Sequence, residues 1–211
     1  MINYIIYLGY LFSGINLLLY LKNYRKEEKA YKIVTLYLLV IAIIQFFTSL
    51  LKNNGIHNLF LSHFYFILQM VFLSFFYLEI LEMKVQRRIV RTCLMTCLCV
   101  LGIQYLTDKA LFFRFNLFEI FITSYLIIIY SMFHFYNLLN KEKRYYYINT
   151  GILVYLFGST VLFLSGNLIN TLQLESRNVV WLLNATLVVI YQLFIFIEWR
   201  KRSLKKDEDY E

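Results

Sequence analysis

Two side chains capable of proton transfer stand in stretches otherwise apolar enough for lipid: His63 in LFLSHFYFILQMVFLSFFYLEIL (59–81) and Glu119 in FNLFEIF. An imidazole and a carboxylate brought together could serve as general acid and base, or could hold a hydrogen-bonding ligand. A carboxylate at the centre of a membrane helix costs roughly 2.5–3.5 kcal/mol on insertion scales and less toward the interface, so such residues face the interior and mark functional positions. Glu119 is the acidic residue that falls clearly inside an apolar run. Glu79 and Glu198 fall near run ends, where snorkelling or pairing with boundary Lys and Arg accounts for them.

Helical geometry gathers further polar residues around Glu119. At 100° per residue, Asn116, Glu119, Thr123, Tyr130, His134 and Asn137 share a sector of about 60°. Phe118, Tyr125 and Ile129 occupy the opposite side and suit lipid, while Ser124 and Ser131 lie just off the stripe. Two expectations compete: interhelical hydrogen bonding that glues a bundle, or the lining of a hydrated or ligand-filled cavity. Gln69 lies about 120° further round its helix than His63 and deeper, so it addresses a different neighbour. Because successive runs cross in opposite directions, Gln45, Gln104 and Asn184 fall in the same half of the membrane as His63 and Glu119. The candidate pocket is therefore His63, Gln69, Glu119, Thr123, Gln45, Gln104, Asn116 and Asn184.

The elements that must position these residues are membrane helices. The chain is 60% hydrophobic, 19% aromatic and 16% charged over 211 residues, a balance foreign to soluble domains. Crossing about 30 Å of hydrocarbon takes roughly 20 mostly apolar residues. Charged clusters divide the sequence into seven such runs, at about 3–21, 33–51, 59–81, 89–106, 114–138, 146–166 and 179–198, ahead of a charged tail at 200–211. The fold class is all-α, a seven-helix transmembrane bundle; the ten-residue alternation of a transmembrane barrel is not seen.

Loop charge sets the expected orientation. Seventeen Lys and Arg lie in the first, third and fifth loops and the tail, against Lys52, Lys109, Arg114 and Arg177 in the others. The positive-inside rule puts the amino terminus outside, the carboxyl terminus in the cytoplasm, and the candidate pocket near the outer surface. The net charge of +8 then reflects topology and anionic headgroups; no basic face with interleaved aromatics favours nucleic acid. MINYIIYLGYLFSG lacks the basic flank and small-residue cleavage pattern of a signal peptide and is expected as a retained span. Every loop is about a dozen residues or shorter, too short for a soluble catalytic domain. Chemistry is expected within the bundle or through a partner.

Other seven-span chemistries fail on particular residues. A retinal Schiff base needs a Lys in the last span, and 179–198 has none. Paired-histidine metalloproteases and two-aspartate proteases are unmatched, Asp108 being the sole Asp outside the tail. No cofactor and no metal is expected. Gly151, Tyr155, Gly158 and Ser165 form a small-residue face on the sixth run that admits close packing, and Cys93, Cys97 and Cys99 are packing residues.

Four segments, NNGIHNLFLSHFYFILQMVFLSFFYLEIL, FNLFEIF, YYYINTGILVYLFGSTVLFLSGN and VVWLLNATLVVIYQLFIFIEW, carry a resemblance. In order and spacing the chain resembles a family of small, uncharacterised seven-span inner-membrane proteins of Gram-negative bacteria. The resemblance implies a His at His63, an acidic residue at Gln69 and a Glu at Glu119; Gln69 departs from it. It implies a multi-pass inner-membrane location and supplies no activity.

Three functional classes follow. The first is a small-molecule or lipid-binding sensor-like module whose output passes to a separate cytoplasmic or membrane protein. The second is an intramembrane lipid-modifying enzyme using Glu119 and His63. The third is an oligomeric accessory or effector protein of a CRISPR-type defence system, acting as a homo-oligomer on the bilayer.

Overall fold

The computed structural model describes residues 2–139, 143–169 and 174–208. Its main elements are seven helices: α1 (Ile2–Asn23), α2 (Lys29–Asn53), α3 (Phe60–Ile80), α4 (Lys84–Thr107), α5 (Leu117–Leu138), α6 (Tyr146–Ile169) and α7 (Leu174–Glu208). Among the described residues there is no strand, and all seven helices are long and apolar enough to cross a membrane. These are the features of a multi-pass integral membrane protein. Helices prevail because every backbone N–H and C=O must be satisfied within its own segment where no water reaches.

Helix ends depart from the apolar runs for local reasons. α4 starts at Lys84, because Lys, Gln and Arg are good helix formers whose long stems let the charge leave the hydrocarbon. α5 starts at Leu117, later than the run suggests, because Asn116 caps it: its side-chain Oδ1 accepts from the Glu119 N–H at 3.3 Å and its carbonyl from the Ile120 N–H at 3.2 Å. α7 continues to Glu208, so most of the segment expected as a tail is helical; residues 209–211 lie outside the described residues.

The chain divides into two compact units, residues 27–134 and residues 1–26 with 135–211. In the first, α2 packs on α3 and α3 on α4. Large buried tyrosines dominate it, and each brings a hydroxyl that needs a partner. Tyr37 Oη accepts from Gln69 Nε2 at 3.1 Å, and Tyr77 shares a side-chain hydrogen bond with Ser131. At one end Lys29 Nζ and Glu79 Oε1 form a 2.6 Å ion pair, half open to the surroundings and so of small energetic weight.

In the second unit α7 packs against both α1 and α6. Lipid tails are as apolar as leucine side chains, so close fit and interhelical hydrogen bonds hold such helices together. The fit comes from glycine: a Cβ on Gly151 would lie 2.7 Å from Phe194 Cβ, and one on Gly158 would lie 2.7 Å from Leu187 Cδ1. Between them the Tyr155 and Tyr191 rings stack at 5.2 Å. Against α1 the hydrogen bonds take over. Asn16 Nδ2 donates to both Gln192 Oε1 and the Gln192 carbonyl at 2.8 Å, and Tyr20 Oη donates to the Ile195 carbonyl at 3.2 Å.

Candidate functional site

The site lies at one end of the first unit, where α3, α4 and α5 each contribute one group. His63 stands in the first turn of α3, Tyr105 in the last turn of α4, and Glu119 in the first turn of α5. His63 Nδ1 lies 2.9 Å from Glu119 Oε2 and 2.8 Å from Tyr105 Oη. The Tyr105 hydroxyl also donates to Glu119 Oε2. Glu119 is wholly buried and His63 is 97% buried, since its exposure is 3%. One carboxylate oxygen thus gathers two donors from two other helices.

The Asn116 cap does more than start α5. Its Nδ2 donates to Gln104 Oε1 at 3.2 Å and approaches Tyr105 Oη at 3.4 Å, so one amide ties the end of α4 to the start of α5. A Glu three residues beyond a cap often turns back to the cap's own N–H. Here that carboxylate reaches across to His63 and Tyr105, within the first turn where the helix dipole favours negative charge. The short 3-10 segment Lys109–Phe113, begun by Asp108 accepting from the Ala110 N–H at 3.0 Å, completes the surroundings. Its Phe112 ring lies 5.6 Å from His63 in a stacked arrangement and 6.1 Å edge-on from Tyr105.

Two atoms remain open. His63 Nε2 and Glu119 Oε1 are buried and have no hydrogen-bond partner among the described residues. With Nδ1–H directed at the carboxylate, a neutral imidazole presents Nε2 as an acceptor, and Oε1 also accepts. In that tautomer, with the carboxylate ionised, the cluster offers two acceptor atoms, a combination that suits a guest rich in donors.

The structure brings together four of the eight expected residues: His63, Glu119, Asn116 and Gln104. Gln69 is buried elsewhere on α3 and donates to Tyr37, the separate neighbour its helical angle implies. Thr123 is buried, yet its hydroxyl donates to the Glu119 carbonyl of its own helix at 2.7 Å and so adds no free donor at the carboxylate. Gln45 is half-buried on α2, with no hydrogen bond tying it to His63 or Glu119 among the described residues. Asn184 belongs to α7 in the other unit, where its Oδ1 is buried without a partner among the described residues. The stripe on α5 does face inward, with Asn116, Glu119, Thr123, Tyr130 and His134 all buried while Phe118 and Tyr125 are exposed.

Tyr105 and Phe112 escape sequence reasoning. An aromatic at a span end reads as an interfacial belt residue, and LFFRF in a connecting segment has no period to follow. The usable signal is N-x-x-E at 116–119, a cap that fixes Glu119 in a first turn and so near whatever ends the preceding helix. No group of three or more His, Cys, Asp or Glu arranged for a metal occurs among the described residues. Cys97 is buried, Cys93 half-buried and Cys99 exposed, all as free thiols.

Comparison with protein-family models, with curated proteins and with solved structures finds no match to this chain.

Proposed function

We propose that this multi-pass membrane protein resides in a bacterial inner membrane and binds a small, donor-rich molecule at His63, Glu119 and Tyr105. The bound state is passed to a separate protein. The observation that carries this is the pair of open atoms, Glu119 Oε1 and His63 Nε2, in a cluster whose other polar atoms are hydrogen-bonded. Buried polar atoms are nearly always paired, and two open ones side by side on an imidazole and a carboxylate support a bound molecule, water included, or a catalytic role. An amine or a hydroxyl compound supplies the missing donors. The described loops between helices are too short to hold an output domain, which is compatible with hand-over to a partner. The test is native mass spectrometry of protein purified in lipid: the wild type should carry a small adduct that Glu119→Gln and His63→Ala lack. Identical spectra for all three proteins would refute ligand binding at this site.

One feature favours a second reading. A carboxylate on Nδ1 with Nε2 left open is how an imidazole is oriented to act as a general base. On that reading Glu119 positions His63, and Nε2 takes a proton from a substrate hydroxyl or amine, as in an intramembrane lipid-modifying enzyme. A mass change in phospholipid incubated with the wild type, and none with His63→Ala, would favour the enzyme over the sensor.

A further inference from the structure

A second cluster lies wholly within the other unit, built from the segment that enters α6 and from the end of α7. Tyr145 takes the left-handed backbone conformation (φ 56°), rare for a bulky residue, and its ring is fully buried. That turn sets two cations on one ring: the Arg202 guanidinium 4.1 Å and the Arg144 guanidinium 5.8 Å from its centroid. The next two tyrosines repeat the pattern, with Lys201 Nζ 4.7 Å from the Tyr147 ring and Lys143 Nζ 5.5 Å from the Tyr146 ring. The Glu198 carboxylate sits beneath, accepting from the Tyr147 N–H at 3.0 Å and lying 3.6 Å from Arg202 Nε.

This differs from a solvated run of charge. Glu198 is 95% buried, its exposure being 5%, and is occupied by the α6 backbone and Arg202. Lys143 and Lys201 are exposed and form no ion pair with a described residue. Aromatic faces hold their ammonium groups in place, and the cluster stands where α6 begins and where α7's apolar run gives way to RKRS. Tyrosines and basic residues at that level match the headgroup region of a bilayer.

The geometry points to a headgroup site for an anionic phospholipid, with Lys143 and Lys201 on its phosphate and the Tyr146 and Tyr147 rings as the platform that holds them. Charge complementarity selects the anion. Positioning by the rings separates it from diffuse attraction of any basic loop to any acidic surface.

The experiment titrates the purified full chain in detergent with phosphatidylglycerol or phosphatidylcholine and counts retained lipid by native mass spectrometry. A basic residue near an anionic surface contributes about fivefold in binding. Lys201→Gln should weaken phosphatidylglycerol retention by about that factor. Tyr147→Leu should weaken it too although no charge is lost, and Lys143→Gln serves if the tyrosine variant does not fold. The control is the Arg87→Gln, Arg88→Gln double variant in α4, of equal or greater charge loss, which should leave retention unchanged. Equal retention of the two lipids, an equal loss in the control, or displacement by inorganic phosphate at matched concentration would each overturn the headgroup site.

Discussion

Replacing Glu119 separates a site from mere packing glue, because the structure shows what each substitution removes. Glu119→Gln keeps an oxygen for Tyr105 Oη–H and His63 Nδ1–H but removes the charge. Glu119→Leu leaves both donors without an acceptor in a fully buried place. Two interhelical hydrogen bonds in a membrane protein amount to about 1–3 kcal/mol, at roughly 0.6 on average and 1.7 at most for each. Against this stands the relief of removing a carboxylate from a span, up to about 2.5–3.5 kcal/mol at the centre and less in a first turn. The opposing contributions nearly cancel. Both variants should therefore insert and fold, with melting temperatures in detergent within about 4 °C of the wild type, taking about 2–4 °C per kcal/mol for a chain of this size. Function should respond differently, since each variant changes the acceptor chemistry at Oε1. The assay pairs melting temperature with complementation of a deletion strain, with Ser124→Ala as a buried control away from the carboxylate. Full complementation by a folded Glu119→Leu protein would refute the site and leave the cluster as packing.

Other expectations bear on the frame. Gly151→Ala should destabilise by about 1–3 kcal/mol, because the new methyl meets Phe194 Cβ, which cannot move without its backbone. Gly158→Ala should destabilise less, since the Leu187 methyl it meets lies at the end of a flexible side chain, and equal melting temperatures for the two variants would contradict this. A double-mutant cycle on Asn16→Leu and Gln192→Leu should give a coupling of about 0.6–1.7 kcal/mol; zero coupling would mean the hydrogen bonds between α1 and α7 do not stabilise the folded chain. In a cysteine-free background, Asn54→Cys should react with an impermeant thiol reagent in spheroplasts and Lys84→Cys should not; the reverse would overturn the orientation inferred from loop charge.

Hydropathy made the seven helices legible, because a membrane asks for length and apolarity and the charged clusters supply the breaks. Pairing of His63 with Glu119 was legible too, from equal depth on helices entering from the same side, as was the separate neighbour of Gln69. Depth alone could not tell which residues meet around the axis. It grouped Gln45 with the site, though Gln45 has no hydrogen bond to it among the described residues. Nor could periodicity reveal that the Thr123 hydroxyl is spent on its own helix. Tyr105 and Phe112 depend on how the 3-10 segment after α4 folds back, and short 3-10 segments leave no repeating pattern in sequence.

Asn116 bears on whether the cluster is incidental. A cap needs only its side-chain oxygen, and the amide nitrogen of Asn116 is instead directed to Gln104 and Tyr105 on α4. Glu119, which a simple capping box would turn back on its own helix, is directed to His63 on α3. The same four residues that begin α5 therefore join three helices through one buried carboxylate, and they leave its second oxygen and the far imidazole nitrogen open. Packing alone would be served as well by leucine or by a neutral amide, without a charge whose insertion is unfavourable. A carboxylate gripped on one oxygen and open on the other, beside an imidazole held by one nitrogen and open on the other, is the arrangement expected of groups held still to meet a third.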